Sequence, residues 1–174
     1  MWYDIPYYIA ARNLDSRDDP RVTAPLMVQR PLRVLWLGDS DIGGQGARAV
    51  AAFHKHGAAW TLRSMVKERQ YMAYAVDLPY RRPSLDEQYQ ACDVIHVRNH
   101  FTDYDMLAAK FGLKPVVIHY HGTKFRSNPQ HYLRQQRERG AIGIVSTLDL
   151  YLLAPDHLEW LPAPYDVDAL GAMR

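Results

Sequence analysis

Cysteine is nearly missing from this sequence. Cys92 is the only cysteine in 174 residues, so the chain can form neither an internal disulfide nor a cysteine-based zinc site. Such a composition is typical of a reducing compartment, and we expect a cytoplasmic location. Cys92 also follows a predicted helix and precedes a predicted buried strand, which is not the setting of a catalytic nucleophile.

Long apolar runs and a strong charge of one sign are missing as well. No apolar run reaches the ~18 residues of a membrane-spanning helix, and the first residues lack the basic and apolar regions of a signal peptide. The formal net charge is only +2, which argues against a protein whose main role is to coat nucleic acid. We therefore expect no membrane span, and nucleic acid is a partner that the sequence does not favour.

Histidine, in contrast, is frequent. The chain has eight histidines, and His119 and His121 share one face of a predicted strand. No carboxylate lies at metal-ligand spacing from them, and a histidine at a strand end is more often a hydrogen-bonded cleft residue than a ligand. We expect no metal site.

The length of 174 residues predicts a single domain. Residues 1–30 are interpreted as an N-terminal extension or arm, and the aromatic and apolar side chains near its start predict that it docks on the domain. Residues 31–170 form the predicted domain. Residues 171–174 are interpreted as the start of a linker whose remainder the sequence does not contain.

Short apolar runs alternate with helix-like segments along the predicted domain. Strands are predicted over 32–37, 60–66, 93–97, 114–120, 141–145 and 158–161, and helices over 47–55, 84–92, 102–110, 129–139 and 147–152. Ser84 with Glu87 predicts a capping box at the second of these helices. The alternation predicts a Rossmann-like three-layer α/β/α domain with a mostly parallel sheet.

The most informative stretch is 32–48, which reads LRVLWLGDSDIGGQGAR. A strand leads through a glycine-rich loop into a helix, and such a helix N-terminus presents unpaired amides to an anion. The candidate anion-binding residues are Gly43, Gly44, Gln45, Gly46 and Arg48. The stretch matches neither the dinucleotide fingerprint nor a P-loop. The alternative interpretation is that its glycines only form a tight turn.

Polar residues also follow two other predicted strands. Ligands of parallel sheets bind at the carboxyl ends of the strands, so we expect these residues to line a cleft. The candidates are Arg98, Asn99 and His100 after one strand, and His121, Thr123 and Lys124 after the next. Asp39 and Asp41 precede the glycines and could orient an acceptor hydroxyl, although turn formation is the interpretation that we favour for both.

Taken in order, these motifs resemble the N-terminal Rossmann-like domain of retaining GT-B glycosyltransferases, the group of glycogen- and sucrose-type synthases and mannosyltransferases. The matching segments are the Gly-Gly loop, DVIHVRNH over 93–100, HGT over 121–123, Ser-Thr over 146–147 and LPAPYD over 161–166. The resemblance covers about residues 32–170. It implies that the domain is one half of a GT-B fold.

The resemblance also implies a reaction and a set of roles. A sugar passes from a nucleotide-diphosphate sugar, which is a substrate and not a cofactor, to an acceptor with retained configuration. The segment 43–46 and Arg48 would lie near the donor phosphates, and His100 and His121 would be catalytic residues, with His96 as the rival of His100. Substrate contacts are implied for Asp41, Arg98, Asn99, Thr123 and Lys124.

In this group a second domain grips the nucleotide sugar. We therefore expect the chain to be the acceptor-side half of a glycosyltransferase, inactive alone and dependent on a second donor-binding domain or chain. The expected partners are a nucleotide sugar and a small acceptor molecule or glycan. The alternative is a non-catalytic Rossmann-like module that recognises a glycan, nucleic acid or protein partner.

Overall fold

The computed structural model describes residues 31–41, 44–55, 61–67 and 77–162. The expectations about the N-terminal arm, the linker start and Gly43 lie outside these residues. The described strands are β1 (Arg33–Gly38), β2 (Thr61–Val66), β3 (Leu78–Pro79), β4 (Val94–Arg98), β5 (Val116–Tyr120), β6 (Ile142–Val145) and β7 (Leu158–Trp160). The described helices are α1 (Gln45–Lys55), α2 (Arg82–Ala91), α3 (Thr102–Phe111), α4 (Gly122–Ser127), α5 (Pro129–Glu138) and α6 (Leu148–Tyr151).

The seven described strands form one sheet in the order β3-β2-β1-β4-β5-β6-β7. Every neighbouring pair is parallel. Helices cover both faces, which confirms the predicted Rossmann-like three-layer α/β fold. Strand order reverses beside β1, because β1 pairs with β2 on one side and with β4 on the other.

The core is divided by the sheet into two layers, as the alternation of side chains along a strand requires. In β1, Val34 and Trp36 pack on the α1 side with Phe53. Leu35 and Leu37 face the opposite side, where they join the larger cluster that contains the buried residues of α2 to α6. Both described layers are largely apolar, and buried polar side chains near the carboxyl ends of the strands include Asp41, Arg98 and His119.

Two local predictions need correction, and one is confirmed. Ser84 does not cap α2, because the helix begins at Arg82, two residues earlier, with Pro83 in its first turn. Proline needs no amide partner there and has a helical φ, so it starts the helix ahead of the predicted capping box. The predicted helix start at Pro129 is confirmed, and Asn128 caps this helix, since its side chain accepts a hydrogen bond from the His131 amide at 3.3 Å.

The second correction concerns a helix that was not predicted. No helix was expected directly after β5, but the segment forms α4 from Gly122. Gly122 has φ +55, a backbone conformation that side-chain-bearing residues seldom adopt. Phe125 on this short helix is fully buried against Tyr120, with ring centroids 4.5 Å apart. Packing of one aromatic side chain therefore outweighs the weak local preference of the segment.

Candidate functional site

The polar residues lie where β1 and β4 run side by side. The chain leaves β1 through α1 on one face and leaves β4 through α3 on the other. Ligands of open α/β sheets bind outside the carboxyl ends of the strands at such a point. Side-chain contacts join the segments after β1, β4 and β5 at this edge.

Asp41 closes the N-terminus of α1. Its carboxylate accepts hydrogen bonds from the amides of Gly46 and Ala47, both at 3.0 Å, and its carbonyl accepts one from Gly44 at 2.8 Å. Asp41 is 2% exposed. A carboxylate of the chain therefore holds the position where an external anion was expected, and the helix dipole is already compensated there.

Close packing favours glycine at position 46. A Cβ atom there would lie 3.3 Å from Nε1 of Trp36 and 3.2 Å from a carboxylate oxygen of Asp41. The first turn of α1 therefore rests on the indole ring. Gln45 and Arg48 belong to the same turn, and the guanidinium of Arg48 donates to the carbonyl of Gly44 at 3.4 Å.

Arg98 is buried against Ser40 and Asp41, which follow β1. Its Nη1 donates to the carbonyl of Ser40 and lies 3.5 Å from Oδ1 of Asp41. Only 8% of Arg98 is exposed. Burial lowers the pKa of its guanidinium and the charge of Asp41 opposes that shift. The pair thus balances one buried cation with one buried anion beside the turn.

Asn99 connects the end of β4 to the end of β5. It has φ +57, in the left-handed region, and its side-chain oxygen accepts a hydrogen bond from the amide of His121 at 2.7 Å. Its own amide donates to the carbonyl of His119 at 3.0 Å. Asn99 therefore sets the backbone direction into His100 and fixes the start of α4 at the same time.

His100 belongs to a chain of ionisable side chains that runs along the carboxyl edge. Its Nε2 lies 2.5 Å from Oδ2 of Asp39, and Oδ1 of Asp39 lies 3.0 Å from the ammonium of Lys67. The same ammonium lies 2.9 Å from Oδ1 of Asp103, which also accepts a hydrogen bond from the hydroxyl of Tyr80 at 3.1 Å. This edge network crosses the ends of β3, β2, β1 and β4.

The charges of the network reinforce each other. Partial burial by itself raises the pKa of Asp39. Hydrogen bonds from Lys67 and His100 together lower it by more, so the pKa lies below its usual value. Burial lowers the pKa of Lys67, while hydrogen bonds to Asp103 and Asp39 raise it above its usual value. Both groups are therefore charged throughout the neutral range.

The sequence interpretation missed most of this network. It assigned Asp39 to turn formation and gave no role to Lys67, Asp103 or Tyr80. One signal was present for two of them, because Asp39 and Lys67 lie just after predicted strands, as His100 does, whereas the strand before Tyr80 was not predicted. Carboxyl ends of parallel strands meet at one edge, so each such residue was a candidate.

A second polar group lies one layer deeper, on the α1 side. Trp36 stacks on His96 with ring centroids 3.8 Å apart, and His119 lies 5.5 Å from His96 and 4.0 Å from His121. Nε2 of His119 is 2.7 Å from the hydroxyl of Ser146. We call the three imidazoles and Trp36 the imidazole stack.

Burial keeps the imidazole stack neutral. It lowers the pKa of His96 and of His119 well below the usual value, with a smaller contribution from the neighbouring His121. Burial and the charge of Arg98 lower the pKa of His121 to about 3. His121 is thus a neutral hydrogen-bonding group, and within the described residues its buried Nε2 has no hydrogen-bond partner.

The other candidates lie outside this arrangement. Thr123 and Lys124 are exposed in the first turn of α4, and no hydrogen bond among the described residues joins either side chain to His100 or Asp39. Among the residues that the structure describes, no group of three histidine, cysteine or acidic side chains is placed to hold a metal ion. No described helix is long and apolar enough to span a bilayer.

The fold and this edge define the class of the protein: a Rossmann-like α/β protein with a polar site where its strand order reverses. No protein-family model, no curated protein and no solved structure matches the chain. Function is therefore inferred from the chemistry of the site.

Proposed function

We propose that the chain is the acceptor-side domain of a GT-B glycosyltransferase. It would transfer a sugar from a nucleotide-diphosphate sugar to a hydroxyl acceptor, together with a second domain or chain that binds the donor. One observation carries the proposal. The segments after β1, β4 and β5, which bear the motifs that resemble this family, are joined by side-chain contacts at the edge where strand order reverses.

The exposed chemistry of the edge suits a hydroxylated ligand. His100 and Asp39 are partly exposed, with 28% and 44% of their side chains accessible. Carboxylates and imidazoles bind sugar hydroxyls by accepting or donating hydrogen bonds. Neutral His121, whose amide is tied to Asn99 beside His100, adds a second imidazole without adding charge. We assign ligand contact to His100 and His121 and a supporting role to Arg98 and Asn99.

The donor diphosphate is assigned mainly to the second domain or chain. The amides of Gly44, Gly46 and Ala47 already donate to Asp41, so this helix start offers few amides to a phosphate. The carboxylate of Asp41 would also repel one. Gln45 and Arg48, in the same turn, are the side chains of α1 that we assign to the donor side of the cleft.

Binding of nucleotide sugars and simple glycosides to the purified chain tests the proposal. Calorimetric titration with uridine- and guanosine-diphosphate sugars and with methyl glycosides should give weak binding and no sugar transfer. His100→Ala should weaken binding about tenfold, the effect of losing roughly one hydrogen bond to a polar ligand. His54→Ala, at the exposed end of α1, is the matched control and should bind like the parent chain.

The opposite results are equally clear. No binding of any of these ligands would contradict a sugar site. Turnover by the isolated chain would contradict the need for a second domain or chain. A His54→Ala variant that loses as much affinity as His100→Ala would place binding elsewhere.

The Asp41 cap favours one second candidate, a non-catalytic module that binds glycans. A helix start filled by the protein's own carboxylate is suited to a ligand without phosphate. Such a module should bind methyl glycosides and ignore the nucleotide portion, so nucleotide diphosphates would not compete. Competition by a free nucleotide diphosphate would favour the glycosyltransferase.

A further inference from the structure

We propose that Asp39 is a positioning residue, which fixes His100 as the tautomer protonated on Nε2 and leaves Nδ1 to accept a hydrogen bond from a ligand hydroxyl. The identity of the ligand rests on the proposed function, whereas the tautomer does not. Neither Asp39 nor the residues that hold it belonged to the predicted site.

The contact between Asp39 and His100 determines the tautomer. Oδ2 of Asp39 lies 2.5 Å from Nε2 of His100, and an ionised carboxylate can only accept a hydrogen bond. The proton of a neutral ring must therefore be on Nε2. Nδ1 then carries a lone pair, and it is buried with no hydrogen-bond partner among the described residues. A buried acceptor without a partner is costly.

Lys67 keeps the carboxylate in place and ionised. Its ammonium binds the other oxygen of Asp39 at 3.0 Å and binds Asp103 at 2.9 Å. The hydroxyl of Tyr80 donates to Asp103, and the ammonium lies 5.4 Å from the centre of the Tyr80 ring. Asp39 is thus restrained on both oxygens by groups from different strand ends. A base oriented by a carboxylate that is itself held is the usual arrangement of positioned imidazoles.

The backbone of His100 is restrained as well. Its amide donates to the carbonyl of Arg98 at 2.7 Å, and the preceding residue is the left-handed Asn99 that is tied to His121. Arg98 is itself held under the loop by Ser40 and Asp41. Both the main chain and the ring edge of His100 are therefore fixed, which is a requirement for directing Nδ1 at one ligand atom.

The tautomer restricts the ligand group that Nδ1 can bind. In the Nε2-protonated ring, Nδ1 is an acceptor only, so its partner must donate a hydrogen. A sugar or polyol hydroxyl meets this condition. A fully ionised phosphate does not, because it has no hydrogen to donate. In the neutral Nε2-protonated ring, the edge at His100 therefore suits an acceptor hydroxyl and not a phosphate.

Nitrogen NMR tests the inference directly on the full chain without a ligand. Long-range proton–nitrogen spectra of the ¹⁵N-labelled protein, recorded well above the usual histidine pKa of about 6.5, report which ring nitrogen carries the proton. We expect His100 to show at least a roughly tenfold excess of the Nε2-protonated tautomer, because a hydrogen bond to a charged group has that strength. Asp39→Asn should reduce this excess.

Two pairs of variants separate positioning from a purely structural effect. Lys67→Met should also reduce the tautomer excess, while Lys67→Arg, which keeps a cation between the two carboxylates, should retain most of it. Asp149→Asn is the matched control for Asp39→Asn, because Asp149 pairs with Arg126 at an exposed site on α6. It should leave the His100 signals unchanged.

Two results would overturn the inference: a parent spectrum with the proton on Nδ1 or an equal mixture, or an Asp39→Asn spectrum identical to the parent. Both are independent of ligand. If the tautomer is fixed as expected but no glycoside binds, the positioning role stands and the proposed function fails. If glycosides bind, the Nδ1 resonance of His100 should shift on saturation with methyl glycoside. An Nδ1 resonance that is unshifted in the bound state would contradict a hydrogen bond between Nδ1 and a ligand hydroxyl.

Discussion

Oδ1 of Asp41 accepts a hydrogen bond of 3.0 Å from the amide of Gly46, so a carboxylate from the loop completes the helix that follows it. Asp41 is also 3.5 Å from buried Arg98. Asp41 therefore serves two purposes, since it accepts hydrogen bonds from the first amides of α1 and balances the charge of buried Arg98. Its substitution should affect both.

Asp41→Ala should lower the free energy of unfolding by about 3 kcal/mol, because it removes a helix cap and leaves a buried guanidinium without its carboxylate. Asp41→Asn should cost less, since the amide oxygen still accepts one hydrogen bond. Urea denaturation followed by circular dichroism measures both. Asp149→Ala, at an exposed ion pair, is the control and should unfold close to the parent chain. Equal stability of Asp41→Ala and the control would contradict the capping role.

Gly46→Ala should be destabilising by about 1–2 kcal/mol, although alanine normally stabilises a helix. The reason is steric, because the added Cβ would meet Trp36 and Asp41 at 3.2–3.4 Å. The same substitution made together with Trp36→Phe should cost less, since the smaller ring leaves room. A double-mutant cycle of unfolding free energies measures this coupling. A coupling of zero would show that the indole does not limit this position.

Acid should destabilise the protein through the imidazole stack. The pKa values of His96, His119 and His121 are depressed in the folded state, so their contribution is complete above the unfolded pKa of about 6.5 and is lost as the pH falls towards the folded values. Between the folded and unfolded pKa values, each buried neutral ring therefore lowers the free energy of unfolding by about 1.4 kcal/mol for every unit by which the pH falls.

The free energy of unfolding should therefore fall steeply between about pH 6.5 and about pH 5. His96→Phe, which keeps an aromatic ring against Trp36, should make the fall shallower. His54→Gln, at an exposed position on α1, should leave the slope unchanged. A free energy of unfolding that is constant across this range would show that the imidazole stack is protonated without loss of stability.

Asn99→Ala should cost about 2 kcal/mol, because it removes the hydrogen bond from the His121 amide and places alanine in the left-handed region. Asn99→Gly should cost about 1 kcal/mol, since glycine tolerates this φ and loses only the hydrogen bond. Thermal unfolding of both variants gives the difference between their unfolding free energies, which is the cost of placing alanine in the left-handed region. If glycine costs as much as alanine, φ is not the source of the penalty.

Several features were predictable because they are local. Alternation of short apolar runs with helix-like segments predicted the parallel sheet and its two helical layers, since burial on both strand faces demands that pattern. The start of α5 at Pro129 was also predicted, because proline is favoured in the first turn of a helix. The meeting of the segments that end at His100 and His121 followed from the geometry of parallel strands, whose carboxyl ends share one edge.

What the sequence alone determined was the layer architecture and the edge that carries the polar residues, because side-chain periodicity and strand direction are local properties. The contacts that those polar residues make were decided only by the tertiary structure. The sequence left open whether Asp41 forms a turn or meets a ligand, and in the structure its carboxylate also caps α1 beside Arg98. Asp39 reaches His100 across 61 residues of sequence, and its ion pair with Lys67 joins β1 to β2. Such contacts depend on strand order and register, which no short stretch of sequence encodes.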